Sequence, residues 1–265
     1  MSDFLPDHQP TALVRRPSPL MADGLVTHIE RSPVDLDLAH HQWEGYVAAL
    51  AQEGRCRIEA SEAPELPDSA FVEDTVVMYG DLAVLTRPGA DERKPEVAGT
   101  AGTLAELGYR TAAIQAPGTL DGGDVLKHGD QVWVGLGGRT NPMGAAQLRK
   151  ALQPLGATVR TVPVSTVLHL KSAVTALPDG TVIGYPPLVE NPSIWDRFWP
   201  VPEEPGAHVV VRGPTRVLMA TSAPKSREIF ESAGIDVVAV DISEFEKLEG
   251  CVTCLSVRLR TAPSA

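Results

Sequence analysis

Val76-Val-Met-Tyr-Gly-Asp-Leu-Ala-Val-Leu85 consists of two short apolar runs on either side of Gly80-Asp81. Glycine supplies the left-handed conformations that a tight hairpin turn needs, and aspartate tolerates them, so this stretch predicts a β-hairpin. The same arrangement returns at Val125-Leu-Lys-His-Gly-Asp-Gln-Val-Trp-Val134. Looser copies join Ala173 to Leu177 with Thr181 to Gly184 around Pro178-Asp179-Gly180, and Val209 to Arg212 with Arg216 to Met219 around Gly213-Pro214. The turn glycines Gly80, Gly129, Gly180 and Gly213 are 49, 51 and 33 residues apart, which points to a degenerate internal repeat.

A helix follows most of these hairpins. Val97, Ala101, Leu104 and Gly108 share one helical face. Thr140-Asn141-Pro142 supplies a polar cap and a proline at the first helical position before the stripe Ala145, Leu148, Ala151, Leu152. Ser222-Ala223-Pro224 opens another helix, which runs through Ile229 and Phe230 to Gly234. Each leads into a further strand-like run, so the unit is strand, strand, helix, strand. Thr11 to Arg15, a helix carrying Trp43, Val47 and Leu50, and the alternating Thr253 to Arg260 would complete a fifth unit from the two ends of the chain. Such a closure removes the open edges of a ring. Pro186 to Pro205 reads as a long connection, and residues up to Pro10 as a frayed tail.

The chain of 265 residues is long enough for one large domain, and we treat residues 1–265 as one. With 34 acidic against 23 basic residues the net charge is −11, which argues against nucleic acid and anionic lipid and suits a cationic ligand. No apolar run spans a bilayer and the opening residues lack a signal-peptide pattern, so a cytoplasmic location is expected. Three cysteines do not make a disulfide scaffold.

Acidic residues gather ahead of the first two hairpins: Asp68, Glu73 and Asp74 before one, Asp121 and Asp124 before the other. In a ring of repeats those strand starts converge, and several carboxylates then share a pocket suited to a cation; the plainer alternative is turn capping. Alternation in Val167-Leu-His-Leu-Lys171 puts His169 opposite Leu168 and Leu170 on a strand, either as a polar surface residue or as a site residue. His128 falls in a turn and His208 in a predicted strand. Cys251-Val-Thr-Cys254 matches a CxxC, but Cys254 leads into a strand instead of a helix. An extended path separates the two by roughly 10 Å, beyond disulfide reach unless a turn precedes Cys254. Zinc needs a second pair, and Cys56 is the one cysteine left. A free, buried cysteine is usually inert.

Phe71-Val-Glu-Asp74, Thr86-Arg-Pro-Gly-Ala90, Leu120-Asp-Gly-Gly-Asp124, Arg139-Thr-Asn141, Leu168-His-Leu-Lys-Ser172 and Thr253-Cys-Leu-Ser256 together resemble the dimethylarginine dimethylaminohydrolases of the guanidino-modifying pentein superfamily. The resemblance runs in order from about Asp23 to Arg258. It implies an α/β five-bladed propeller of ββαβ units around a central polar site. It also implies hydrolysis of Nω-methylated arginines to citrulline, with Cys254 as nucleophile, His169 as acid and base, and Asp121 assisting. Asp74 would join Asp121 on the guanidinium, Glu73 would line the substrate site, and Asp68, Arg93 and Arg139 would hold the amino acid end. Leu25 would lie on a mobile covering loop, Asp23-Gly24-Leu25. Some members carry Glu at the Asp121 position. No metal and no organic cofactor are implied; the partner is a small-molecule substrate, and a homodimer stays open. Arginine deiminases and amidinotransferases are the nearest alternatives. A non-catalytic pentein binding protein is a more distant one, because such proteins lack the Cys and His pair.

Overall fold

The computed structural model describes residues 11–51 and 57–263; the expected tail and Cys56 lie outside these residues. Strand β1 (Thr11–Val14), helix α1 (Leu36–Ala51) and strand β2 (Arg57–Glu59) come first. The first hairpin, β3 (Val76–Tyr79) and β4 (Leu82–Leu85), is followed by α2 (Glu96–Glu106) and β5 (Arg110–Ala113). The second, β6 (Val125–His128) and β7 (Gln131–Leu136), is followed by α3 (Pro142–Leu152) and β8 (Thr158–Pro163). A single turn, α4 (Leu170–Ala173), leads into β9 (Val174–Ala176), β10 (Val182–Gly184) and β11 (Phe198–Pro200). The fourth hairpin, β12 (Val210–Val211) and β13 (Arg216–Ala220), precedes α5 (Pro224–Ser232) and β14 (Asp236–Val240), and the chain continues through α6 (Ser243–Glu246) to β15 (Val257–Leu259).

These strands form five three-stranded sheets of one topology, the first pair antiparallel and the second parallel. The fifth sheet, β15-β1-β2, joins the two ends of the chain as the sequence pattern requires, with Thr11 opposite Leu259. The architecture is that of an α/β propeller. The Gly80 and Gly129 turns both take positive φ, 56° at each, which is why glycine occupies them. Hydrophobic clusters lie between neighbouring units: α3 packs Ala145, Leu148 and Leu152 with Val77, Val84, Val125 and Val134. The inner strands are the buried ones, and β15 touches β3 while β6 touches β9.

Two helical expectations change. α2 turns Glu96, Thr100 and Leu104 inward, leaving Val97 and Ala101 half-buried, because Glu96 binds the buried Arg93. The third unit has no α-helix between β10 and β11: Pro186–Leu188 and Pro192–Ile194 make single 3-10 turns, and proline lacks the N–H that would extend them. The expected long connection nevertheless contains β11, paired parallel to β10. Beside it Trp133, Val162, Leu170, Leu188 and Trp195 line a cavity of about 240 Å³.

Candidate active site

The turns that precede the inner strands meet at one end of the axis. Val72–Thr75 touches Gly122–Asp124, which touches α4. Asp74, Asp121 with Asp124, and His169 are therefore neighbours although far apart in sequence. His169 Nε2 lies 3.0 Å from Asp121 Oδ2, and Nδ1 lies 3.9 Å from Asp74 Oδ1. All three side chains are buried, at 2%, 2% and 0% exposure for Asp74, His169 and Asp121.

The glycines of Asp121-Gly-Gly-Asp124 make this approach feasible. A Cβ at Gly123 would stand 2.5 Å from His169 Nδ1 and 2.8 Å from Asp74 Oδ1, and one at Gly122 would stand 2.0 Å from Glu73 O. The Gly123 amide donates to Asp74 Oδ1 at 2.7 Å, and the Gly89 amide to Asp121 Oδ1 at 2.8 Å. Asp124 accepts from Thr140 Oγ1 and from the Leu170 amide, which anchors the turn that carries His169.

His169 is thus not in a strand. It caps α4, and Leu168 is only half-buried, so the alternation read from Leu168 and Leu170 does not hold. Burial alone would disfavour imidazolium, but the Asp74 charge and the Asp121 hydrogen bond outweigh it and raise the His169 pKa to about 9. Asp74 is also buried, yet His169 and Arg93 hold it well below the usual carboxylate range. Asp124, with less compensation for its burial, is pushed up to about 6.

Cys254 also departs from the expected strand. Residues 252–255 form a turn in which the Cys254 amide donates to Cys251 O at 3.0 Å, and β15 starts only at Val257. The two sulfurs are 3.4 Å apart. Cys254 O accepts from the Glu73 amide at 3.1 Å, fixing the turn against the carboxylate cluster. Contact with Cys251, then burial, then the negative charges of Cys251, Glu73 and Asp74 push the Cys254 thiol well up. Glu73 Oε1 receives Lys171 Nζ and Arg258 Nη2, each at 2.6 Å, whereas its buried Oε2 has no partner among the described residues.

Asp68 accepts from the Leu25 amide at 3.1 Å, and Gly24 lies so close that a Cβ there would be 2.9 Å from Asp68 Oδ1. Leu25 itself is half-buried. Arg93 and Arg139, expected to act together on a carboxylate, sit in different settings. Arg93 is 4% exposed: its Nε and Nη2 bind Glu96, Nη2 also reaches the Asp68 and Phe71 carbonyls, and Nη1 binds Asp74 Oδ2 at 2.6 Å. Its guanidinium is mostly committed to protein acceptors, because Glu96 lies one helical turn away and Asp74 directly beside it. Arg139 is half-buried, touches Thr27 Oγ1 at 3.3 Å and has a buried Nη1 with no partner among the described residues. Its backbone packs on Gly89.

Residues outside the expected set complete the site: Glu96 braces Arg93, and Lys171 and Arg258 clamp Glu73, while Asp124, one of the carboxylates expected to converge there, holds α4. Lys171 stands inside a quoted motif and Arg258 two residues beyond one, but nothing local distinguishes them from surface charges. The ligand atoms of Asp74, Asp121 and His169 lie within 4.8 Å of one another, making these the residues that could hold a metal ion. The Oδ1 atom of each carboxylate already accepts a protein hydrogen bond.

No protein-family model matches the chain. It is 61% identical over 249 residues to the N(G),N(G)-dimethylarginine dimethylaminohydrolase of Streptomyces coelicolor, covering 94% of this chain and 96% of that one. The chain belongs to the dimethylarginine dimethylaminohydrolase family. It is also 32% identical to the Pseudomonas aeruginosa member, over 93% of this chain and 98% of that one. A solved histidine-to-glycine variant of a family enzyme, an adduct with S-methyl-L-thiocitrulline, superposes with a TM-score of 0.88 at 30% identity, covering 94% of this chain and 99% of that one. A cysteine-to-serine variant of the Pseudomonas aeruginosa enzyme complexed with citrulline gives 0.87 at 30%, covering 94% and 98%. Membership makes the chain a pentein and a hydrolase of carbon–nitrogen bonds in linear amidines.

Proposed function

We propose that the protein hydrolyses asymmetric dimethylarginine and monomethylarginine to citrulline and dimethylamine or methylamine, through a thiouronium formed on Cys254. The observation that carries this reading is His169, charged by Asp74 and Asp121 in a buried cluster against which the Cys254 turn is fixed.

A guanidinium is costly to bury unless fixed carboxylates meet its N–H edges, and Asp74 and Asp121 supply them. The cation that enters also offsets the negative charge which keeps the Cys254 thiol protonated, so thiolate forms once substrate is bound. The thiolate attacks the guanidinium carbon. His169, protonated at neutral pH, gives its proton to the departing amine and then takes one from the water that hydrolyses the thiouronium. Asp121 holds the ring in place at 3.0 Å.

At the other end of the substrate, the unpartnered Nη1 of Arg139 is a buried donor in want of an acceptor, and an α-carboxylate is its natural match. Arg93 offers its second Nη1 hydrogen, Asp68 and the Leu25 loop receive the ammonium, and Glu73 Oε2 takes a remaining substrate N–H. The cation of the site is in this reading the substrate itself, with no metal or cofactor, and residues 1–265 act as one cytosolic domain.

Cys254→Ser should bind substrate and release no citrulline, since a hydroxyl lacks the thiolate's nucleophilicity. Citrulline release by this variant at a substantial fraction of the native rate would overturn the covalent route. Comparing arginine, monomethylarginine and asymmetric dimethylarginine as substrates separates this activity from that of an arginine deiminase, which would prefer the unmethylated compound.

A further inference from the structure

Cys251 has no place in that chemistry, yet its sulfur lies in direct contact with that of Cys254. The turn closed by the Cys254 amide on Cys251 O brings two Cα atoms to within roughly 7 Å, inside the span a disulfide bridges. The sulfurs already stand 3.4 Å apart, both side chains are buried, and neither cysteine is in a disulfide. The extended path that would have kept them apart does not exist. Cys251 Sγ is also 3.3 Å from Thr253 Oγ1, and its carbonyl and sulfur both engage Cys254, so the pair is held facing without any large rearrangement. Hydrogen bonding from Cys254 lowers the Cys251 thiol to about 5 against the opposing effect of burial, with His208 nearby adding to the drop. One sulfur of the pair is therefore anionic at neutral pH, and the thiolate is the form that reacts with oxidants.

We propose that Cys251 and Cys254 are a redox pair in which the Cys251 thiolate takes the oxidant and Cys254 resolves it, so that hydrogen peroxide yields a reversible Cys251–Cys254 disulfide that switches the enzyme off and protects the Cys254 sulfur from irreversible oxidation. The inactivating part rests on the reading of Cys254 as nucleophile. In the first step the thiolate takes one peroxide oxygen, the O–O bond breaks and hydroxide leaves, giving a sulfenic acid. In the second the partner sulfur attacks the sulfenic sulfur, the S–O bond breaks and water departs with the partner's proton. Two thiols lose two electrons and two protons, and one peroxide becomes two waters. A dithiol reverses the linkage by exchange.

Treating the full chain with stoichiometric hydrogen peroxide should abolish citrulline release and lower the intact mass by about 2 Da, with the loss confined to the peptide Leu248 to Arg258. Dithiothreitol should restore both, and Cys56→Ser should behave alike. Cys251→Ser should start within about threefold of native activity, gain about 16 Da under the same treatment and about 32 or 48 Da under a severalfold peroxide excess, after which reductant should not restore it, whereas the wild type under that excess should still recover. Oxygen addition in the wild type at one equivalent, a linkage that vanishes in Cys56→Ser, or full recovery of Cys251→Ser after excess peroxide would each overturn the protective pairing. A disulfide in the right peptide with undiminished citrulline release would instead overturn Cys254 as nucleophile.

Discussion

Arg93 and Arg139 are the same residue type with one expected task, and they occupy opposite regions of the site. Arg93 lies in its floor, surrounded by Asp74, Glu96 and two carbonyls. Arg139 lies at its rim, where it has a long contact to Thr27 and a buried Nη1 that no described residue satisfies. Burial disfavours the Arg93 charge, but Glu96 and Asp74 more than compensate, so the cation is fixed there permanently. The difference shows that what an arginine does depends on how many acceptors the fold has already given it. The floor arginine holds the machinery together and keeps one Nη1 hydrogen for substrate; the rim arginine, beyond its contact with Thr27, has a donor to give.

The sharpest way to break this comparison is Arg93→Ala. It strands two buried carboxylates, and removing one partner of a buried pair costs about 3–5 kcal/mol. Thermal unfolding should shift down and citrulline release should vanish. If stability is unchanged, the floor is not the structural unit described. Arg139→Ala should leave the unfolding temperature alone and raise KM for methylated arginine about 10- to 100-fold, from a charge-assisted contact of about 1.5–3 kcal/mol. Agmatine, which has no carboxylate, should be a poor substrate and lose almost nothing further in that variant. Agmatine turned over as well as methylated arginine would remove the rim's assigned role.

A pH series sharpens the floor further without any substitution. His169 has a folded pKa of about 9, above its ordinary value near 6.5, so its pairing with Asp74 and Asp121 stabilises the fold fully below that ordinary value. The contribution is lost as pH rises through about 9. Denaturant midpoints should fall across this window in the wild type and fall less in His169→Asn; equal slopes would show that the pair does not titrate as described. The smallest effect is expected from Cys251→Ser, whose turnover under reducing conditions should stay within about threefold of native. A loss as deep as that of Cys254→Ser would give Cys251 a direct part in the reaction.

The hairpins are legible because Gly80-Asp81 and Gly129-Asp130 encode their turns locally, and the convergence of carboxylates follows once the repeat is seen. What escapes is whatever depends on a distant partner. The Leu168 to Leu170 alternation looks like a strand because nothing in it discloses that Asp124 will take the Leu170 amide. Val97 and Ala101 look like an inward face because the Glu96–Arg93 pair that turns the helix is polar. The turn after Cys251 is masked because Val252 and Thr253, between the two cysteines, are β-branched and read as strand, and Pro186 to Pro205 conceals β11, whose partner strand β10 supplies the pairing that its composition does not announce. Asp121, Asp74, His169 and Cys254 could be placed together from motifs, but the brace of Glu96, Lys171 and Arg258 could not.

The closing pair of β1 and β15 links Thr11 to Leu259, whereas the other hairpins close over a handful of residues. Joining ends so far apart carries the largest loop-closure entropy in the ring, so it is the step that waits for the others. Cys254 sits three residues ahead of β15, which ties the nucleophile to that late event. During refolding, helical and sheet signals should therefore return before citrulline release does, and a chain with its first four units assembled should remain catalytically silent until its ends meet.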